Sequence, residues 1–212
     1  KYISEKRRSV ATPKSLVNKD GSCVFGTFDK EFEDMDILKL KKPTGAPQFM
    51  NKLKLTLWEA TEVHLKNGVL LAVCCDMGIF GKVLHVFYDK RTEGLLLGHQ
   101  PEEQETTIAP NLINGSIAQA TTGAGQIKYI NDFDKGRCRL CGKHKSDEAQ
   151  IEYDFELTRL SKPSVVSIPF GKNRPLYSQK DFFTAKGRLV INGEEMLTDD
   201  DSTAIVDDHR GY

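Results

Sequence analysis

The chain has 212 residues, 39% of them hydrophobic and 28% charged, and its 30 Lys plus Arg balance 30 Asp plus Glu to a formal net charge of zero. Counting the 17 glycines brings the apolar share to roughly 47%, the level of an ordinary folded domain. This composition excludes a disordered chain and leaves no electrostatic footprint for nucleic acid, and no run approaches the roughly 18 apolar residues of a membrane helix.

Residues 1–50 are polar, hold Pro13, Pro43 and Pro47 and the acidic stretch Asp29 to Asp36, and show no sustained period. They read as an extended arm packed on something larger, with residues 51–212 forming the barrel-like domain. Lys1 to Arg8 are charged and contain no apolar stretch of the kind a secretory signal carries. From Leu53 the texture changes. Leu53, Leu55 and Leu57 alternate with polar residues, as do Val63 and Leu65, which is the period of a strand. Asn67-Gly68 then precedes the apolar run Val69 to Cys75, so a hairpin with a tight turn is expected there. Phe80 to Tyr88 is a further β-rich run closed by the polar cluster Asp89 to Gly94, and Leu95 begins the return strand.

Gly98 to Glu105 reads as a loop or one helical turn, with weaker strands at Ile117 to Ala120 and Gln126 to Ile130. Ile151, Tyr153, Phe155 and Leu157 alternate with Glu152, Asp154, Glu156 and Thr158, giving one wet face and one buried face. Ser164 to Phe170, Arg188 to Ile191, a turn at Asn192-Gly193, Glu194 to Leu197 and Ala204 to Val206 continue the pattern. About ten strands with no sustained amphipathic helix predict an all-β fold, an antiparallel barrel or strongly curved sheet preceded by the arm.

The five cysteines are an odd number and too few for a disulfide scaffold, and together with the absent signal they favour a reducing, cytoplasmic setting. Cys74 and Cys75 read as small buried hydrophobes. Cys138, Cys141 and His144 have the spacing of half a zinc knuckle but lack a fourth ligand, so neither a metal nor another cofactor is expected. No phosphate-binding loop, dinucleotide fingerprint, nucleophile elbow or zinc-protease motif occurs. Asp207-Asp208-His209-Arg210 is the densest polar cluster directly after an apolar run and holds a possible acid, base and guanidinium; its bland reading is an exposed turn. Tyr177 and Lys180, three apart, face opposite sides of any regular strand. Trp58 reads as core or as the lining of a barrel mouth, and His64 and His85 as half-buried histidines with structural partners.

The phrase Arg174-Pro175-Leu176-Tyr177-Ser178-Gln179-Lys180 and the closing Ile205-Val206-Asp207-Asp208-His209-Arg210-Gly211-Tyr212 resemble the domain-of-unknown-function 2804 family. Trp58-Glu59-Ala60, Val86-Phe87-Tyr88-Asp89-Lys90 and Ser167-Ile168-Pro169-Phe170 extend the resemblance over most of the chain. It implies a lipocalin-like (calycin) architecture akin to two-barrel hydratases and cyclases, of which this chain is the N-terminal part, with a C-terminal domain following. The expected function is binding of a small hydrophobic, lipid- or isoprenoid-like ligand by Tyr177, Lys180, Arg210 and Trp58. The alternatives are a hydratase- or cyclase-type enzyme using Asp207, Asp208 and His209 for acid–base work, and a structural or protein-interaction scaffold.

Overall fold

The computed structural model describes residues 9–100 and 106–212; the charged start at Lys1 to Arg8 and residues 101–105 of the expected loop lie outside the described residues. Strand makes up 57% of the structure and helix 7%, so the fold is all-β. Every helical turn among the described residues is a short 3-10 segment, at Ile37–Lys39, Gln48–Lys54 and Phe133–Lys135.

The strands run β1 (Gly26–Phe28), β2 (Thr56–His64), β3 (Gly68–Asp76), β4 (Gly81–Asp89), β5 (Gly94–Gln100), β6 (Thr106–Thr107) and β7 (Ser116–Thr121). They continue with β8 (Gly125–Asp132), β9 (Arg137–Lys145), β10 (Gln150–Arg159), β11 (Ser164–Gly171), β12 (Arg174–Ile191), β13 (Glu194–Leu197) and β14 (Thr203–Gly211). All fourteen join one antiparallel sheet whose main path runs β5-β4-β3-β2-β14-β12-β10-β9-β8-β7-β6, with β11 and β13 also on β12 and β1 on β11. This is an up-and-down meander in which β14 returns to pair with β2, and it curls into a half-barrel whose ends are β5 and β6.

The strand β12 is the spine of the sheet. Its first half pairs with β14 on one side and β11 on the other, its second half with β10 and β13, and Phe183 and Thr184 pair with both β14 and β10. At Gly187 it needs a glycine. There φ is +149°, and a Cβ would lie 2.0 Å from the Asp154 carbonyl oxygen of β10. In the sequence this strand is legible only at its end, because Arg174 to Lys180 carries too many polar residues to look like a strand.

Three local expectations are corrected. Leu53 belongs to the 3-10 segment Gln48–Lys54 and is exposed, since β2 begins only at Thr56. Gly98 to Gln100 extend β5 by pairing with β4. The turn after β2 is closed by Leu65 N–H donating to the Gly68 carbonyl, which puts Lys66 and Asn67 at its centre, and neither Asn67 nor Gly68 has positive φ. Asn192 and Gly193, with φ of 48° and 87°, do form the type I′ turn their dipeptide predicts.

From Val10 to Leu55 the chain is mostly irregular but not loosely held. Leu16, Phe28, Phe32, Met35, Ile37 and Leu40 are buried in the same apolar cluster as the sheet interior. Phe32 packs edge-on against Phe28 at 4.8 Å and Tyr177 of β12 at 5.9 Å. Glu31 receives Arg159 Nη1 at 2.8 Å, and Tyr212 Oη donates to the Ile37 carbonyl at 2.6 Å. These contacts predict that Phe32→Ala costs about 3–5 kcal/mol in urea unfolding. The same truncation at Phe49, 82% exposed, should stay within about 0.5 kcal/mol.

Candidate functional site

Period-two alternation sorts the site candidates before any distance is measured. Across β12, β14, β2 and β3 the inward side chains fall into rows fixed by strand register. One row holds Tyr177, Arg210, Leu57 and Asp76; the next holds Gln179, Asp208, Glu59 and Cys74; the third holds Asp181, Val206, Thr61 and Ala72. Phe183, Ala204, Val63 and Leu70 complete the interior as an apolar row. Polar groups therefore concentrate at one end of the half-barrel.

Arg210 and Asp208 face inward two residues apart on β14, and both are buried. The guanidinium is held in fork geometry, Nε to Oδ1 at 2.9 Å and Nη2 to Oδ2 at 3.0 Å, while Nη2 also donates to the Ala109 carbonyl at 2.6 Å. Beside Asp208 stands Glu59, fully buried, with the buried Asn131 amide as a polar neighbour but neither carboxyl oxygen in full hydrogen-bond geometry. Burial, reinforced by repulsion from Asp208, pushes the Glu59 carboxyl up to about 8, against weaker opposing pulls from Asn131 and Arg210. At neutral pH a neutral acid therefore stands next to an ion pair, and the three groups, Glu59, Asp208 and Arg210, together carry no net charge.

A second polar chain leads outward from the interior. Tyr177 Oη donates to Gln179 Oε1 and Gln179 Nε2 donates to Asp181 Oδ2, both at 2.8 Å. Arg159 bridges Asp181 and Glu31 at 2.8 Å each, with its guanidinium 4.8 Å over the Phe133 ring. Burial raises Asp181 to about 6 in spite of Arg159. Across the interior, His85 Nε2 meets Tyr153 Oη at 2.8 Å, where Gly142 leaves the room: a Cβ there would lie 2.3 Å from that hydroxyl. Burial lowers His85 to about 4, so it is neutral at physiological pH. Tyr129 Oη donates to the Ala72 carbonyl at 2.9 Å, tying β8 to β3. Between these contacts the interior is filled by side chains.

Several clefts indent the described residues, and one of them lies at the polar end. A cleft of about 300 Å³ opens between the N-terminal segment and the ends of β2, β3 and β6. Its walls include Met35, Ile37, Leu55, Leu57 and Ile108, Arg210 lines it, and Asp36, Asp76 and Lys52 border it. That volume is at the lower end of small-molecule sites.

The sequence-predicted residues divide between two faces. Tyr177, Asp208 and Arg210 lie inside. Asp207, His209, Lys180 and Trp58 lie on the outer face, where the Trp58 and His209 rings stack at 3.9 Å and Trp58 Nε1 donates to Asp207 at 3.1 Å. Lys180 Nζ pairs with Asp207 at 2.6 Å. Asp207 and His209 thus cannot share a pocket with Asp208 and Arg210, because neighbours on a strand point to opposite faces. Glu59 was missed, although extending the alternation of Val63 and Leu65 back along β2 places it and Thr61 on the apolar face. Cys138 and His144 of β9 are buried inside, and Cys141 faces the other way, so the three do not converge. Among the described residues no group of three or more His, Cys, Asp or Glu is placed to hold a metal, and no helix is long and apolar enough to cross a membrane.

Residues 7–212 match the model of a family described as Domain of unknown function (DUF2804). No curated protein matches the chain.

Because Glu59 is protonated when folded and ionised when unfolded at neutral pH, its raised value works against the fold as pH rises from its ordinary 4.5 toward 8. Glu59→Gln should therefore be more stable than wild type by about 3 kcal/mol at pH 7, with the gap closing to within about 1 kcal/mol at pH 5. Urea unfolding at the two pH values checks it; a difference independent of pH contradicts the assignment.

Proposed function

The chain belongs to the DUF2804 family, and on that premise we propose that it binds a small hydrophobic, lipid- or isoprenoid-like molecule in the cleft over Arg210. The observation that carries this reading is the cleft itself: apolar walls from Met35, Ile37, Leu55, Leu57 and Ile108, with one guanidinium among them. A ligand buries its body against those walls and directs its polar end to Arg210, the usual division of labour in such sites. The up-and-down antiparallel meander supports the lipocalin-like reading of the fold, with the ligand placed at one end, in the cleft over Arg210. Tyr177 holds the row that carries Arg210 in place; Lys180 and Trp58, on the outer face, are left out of this site.

One observation favours an enzyme of hydratase or cyclase type as the second reading. The neutral Glu59 carboxyl stands beside Asp208 one row behind the cleft, an acid of the strength that proton transfer near neutral pH needs. In that reading Glu59 and Asp208 take the acid–base roles, and Asp207 and His209 do not. A C-terminal domain, if it follows, has an apolar surface to cover, since Val69, Leu71 and Val73 of β3 and Leu84 and Val86 of β4 point outward and are only half-buried.

Titration with the uncharged, polarity-sensitive dye Nile red tests the ligand reading. Wild type should bind it at micromolar levels, and Leu57→Trp, which fills the cleft, should weaken binding at least about tenfold with an unchanged far-ultraviolet spectrum. Equal binding by both proteins contradicts it.

A further inference from the structure

We propose that the cleft selects ligands whose polar end is uncharged, an alcohol, ketone or ester, and discriminates against carboxylates of the same chain length. This deepens the ligand reading and rests on it.

An arginine in an apolar cleft suggests an anion site at first sight, and the geometry argues the opposite. Asp208 occupies the guanidinium edge in a two-point fork, and the Ala109 carbonyl takes a further N–H. A carboxylate matches a guanidinium best through that fork, and here the fork is already used. The charge is compensated as well: Asp208 is fully buried beside it, so no net positive field reaches the cleft. The remaining border adds two carboxylates, Asp36 and Asp76, against one lysine, Lys52. Asp76 stands in the same inward row as Arg210, with only Leu57 between them.

The burial of Asp208 closes the alternative route. An anionic ligand that displaced Asp208 from Arg210 would leave that carboxylate fully buried without its counter-ion, at a large desolvation cost. An uncharged oxygen asks nothing of this arrangement. It can accept from Nη1, the guanidinium nitrogen that neither Asp208 nor the Ala109 carbonyl engages, and leaves the Asp208 pair intact.

Displacement of bound Nile red at pH 7.5 by decan-1-ol, 2-decanone and sodium decanoate reads the selectivity. The two uncharged compounds should displace the dye at concentrations at least about tenfold lower than decanoate. Since an alcohol is intrinsically the more hydrophobic, the decisive readout is the ratio of decanoate to decanol affinity in variants, in which that intrinsic difference cancels. Asp208→Asn should move the ratio about tenfold toward decanoate, and Asp76→Asn, at the cleft border, should move it the same way by less. A wild type that prefers decanoate, or a ratio unmoved in both variants, overturns the proposal. Should Asp208→Asn not fold, the direction of Asp76→Asn decides. Dye binding that neither the alcohol, the ketone nor the acid displaces overturns the ligand reading itself, an outcome separate from a mistaken head-group preference.

Discussion

A guanidinium enters an apolar interior only with a carboxylate beside it, and the organisation of this molecule's polar end follows from how Arg210 meets that requirement. Two residues apart on β14, Arg210 and Asp208 share a face by strand geometry alone, so their fork forms without help from a distant element. Desolvating both ions is costly, and the coulombic return depends on geometry and on the remaining N–H groups being satisfied. The Ala109 carbonyl takes one of those. The pair thereby links β14 to the approach to β7, while burial first and Asp208 second make Glu59 expensive to ionise. Strand register places Glu59 directly opposite Asp208. A buried carboxyl beside a carboxylate has one inexpensive option, which is to keep its proton.

The same register explains what lines the cleft at the polar end of the half-barrel. Rows of Phe183, Val63 and Leu70 interlock, and farther round Tyr129, Tyr153 and Phe155 fill the interior. The row of Arg210, Leu57 and Asp76 has no such apolar partners on every side. The N-terminal segment covers it from without, through Met35 and Ile37, and leaves the cleft between. Arg159 anchors this covering segment by joining Glu31 to Asp181. Folding and site are therefore coupled, because the residues that bury the segment also form the cleft wall.

Much of this was legible in the sequence, and the exceptions have physical reasons. The eight-residue alternation from Ile151 to Thr158 gave β10 with its inward face correct, and the opposite orientation of Tyr177 and Lys180 followed from their spacing. The cluster from Asp207 to Arg210 was read as one constellation, yet the same alternation that separates Tyr177 from Lys180 divides it into an inner and an outer pair. Glu59 is hard to find because Trp58 reads as core or barrel lining, which by alternation turns its neighbour Glu59 to the outside, the reverse of what the structure shows. Residues 174–180 hid the first half of β12, since a strand lying between two neighbours with one face outward can carry Arg, Ser and Lys without losing its hydrogen bonds. The covering role of the N-terminal segment had no periodic signal, for irregular backbone buries residues by tertiary contact alone.

The account turns on a neutral carboxyl held next to an ionised pair under the cleft. Infrared spectroscopy of the intact chain in deuterated buffer at neutral pH measures this directly, through the carbonyl stretch that only a protonated carboxyl shows. The account predicts such a band in the wild type, its loss in Glu59→Gln and its persistence in Asp207→Asn. A spectrum without that band at neutral pH, or a band that Glu59→Gln leaves in place, would contradict it.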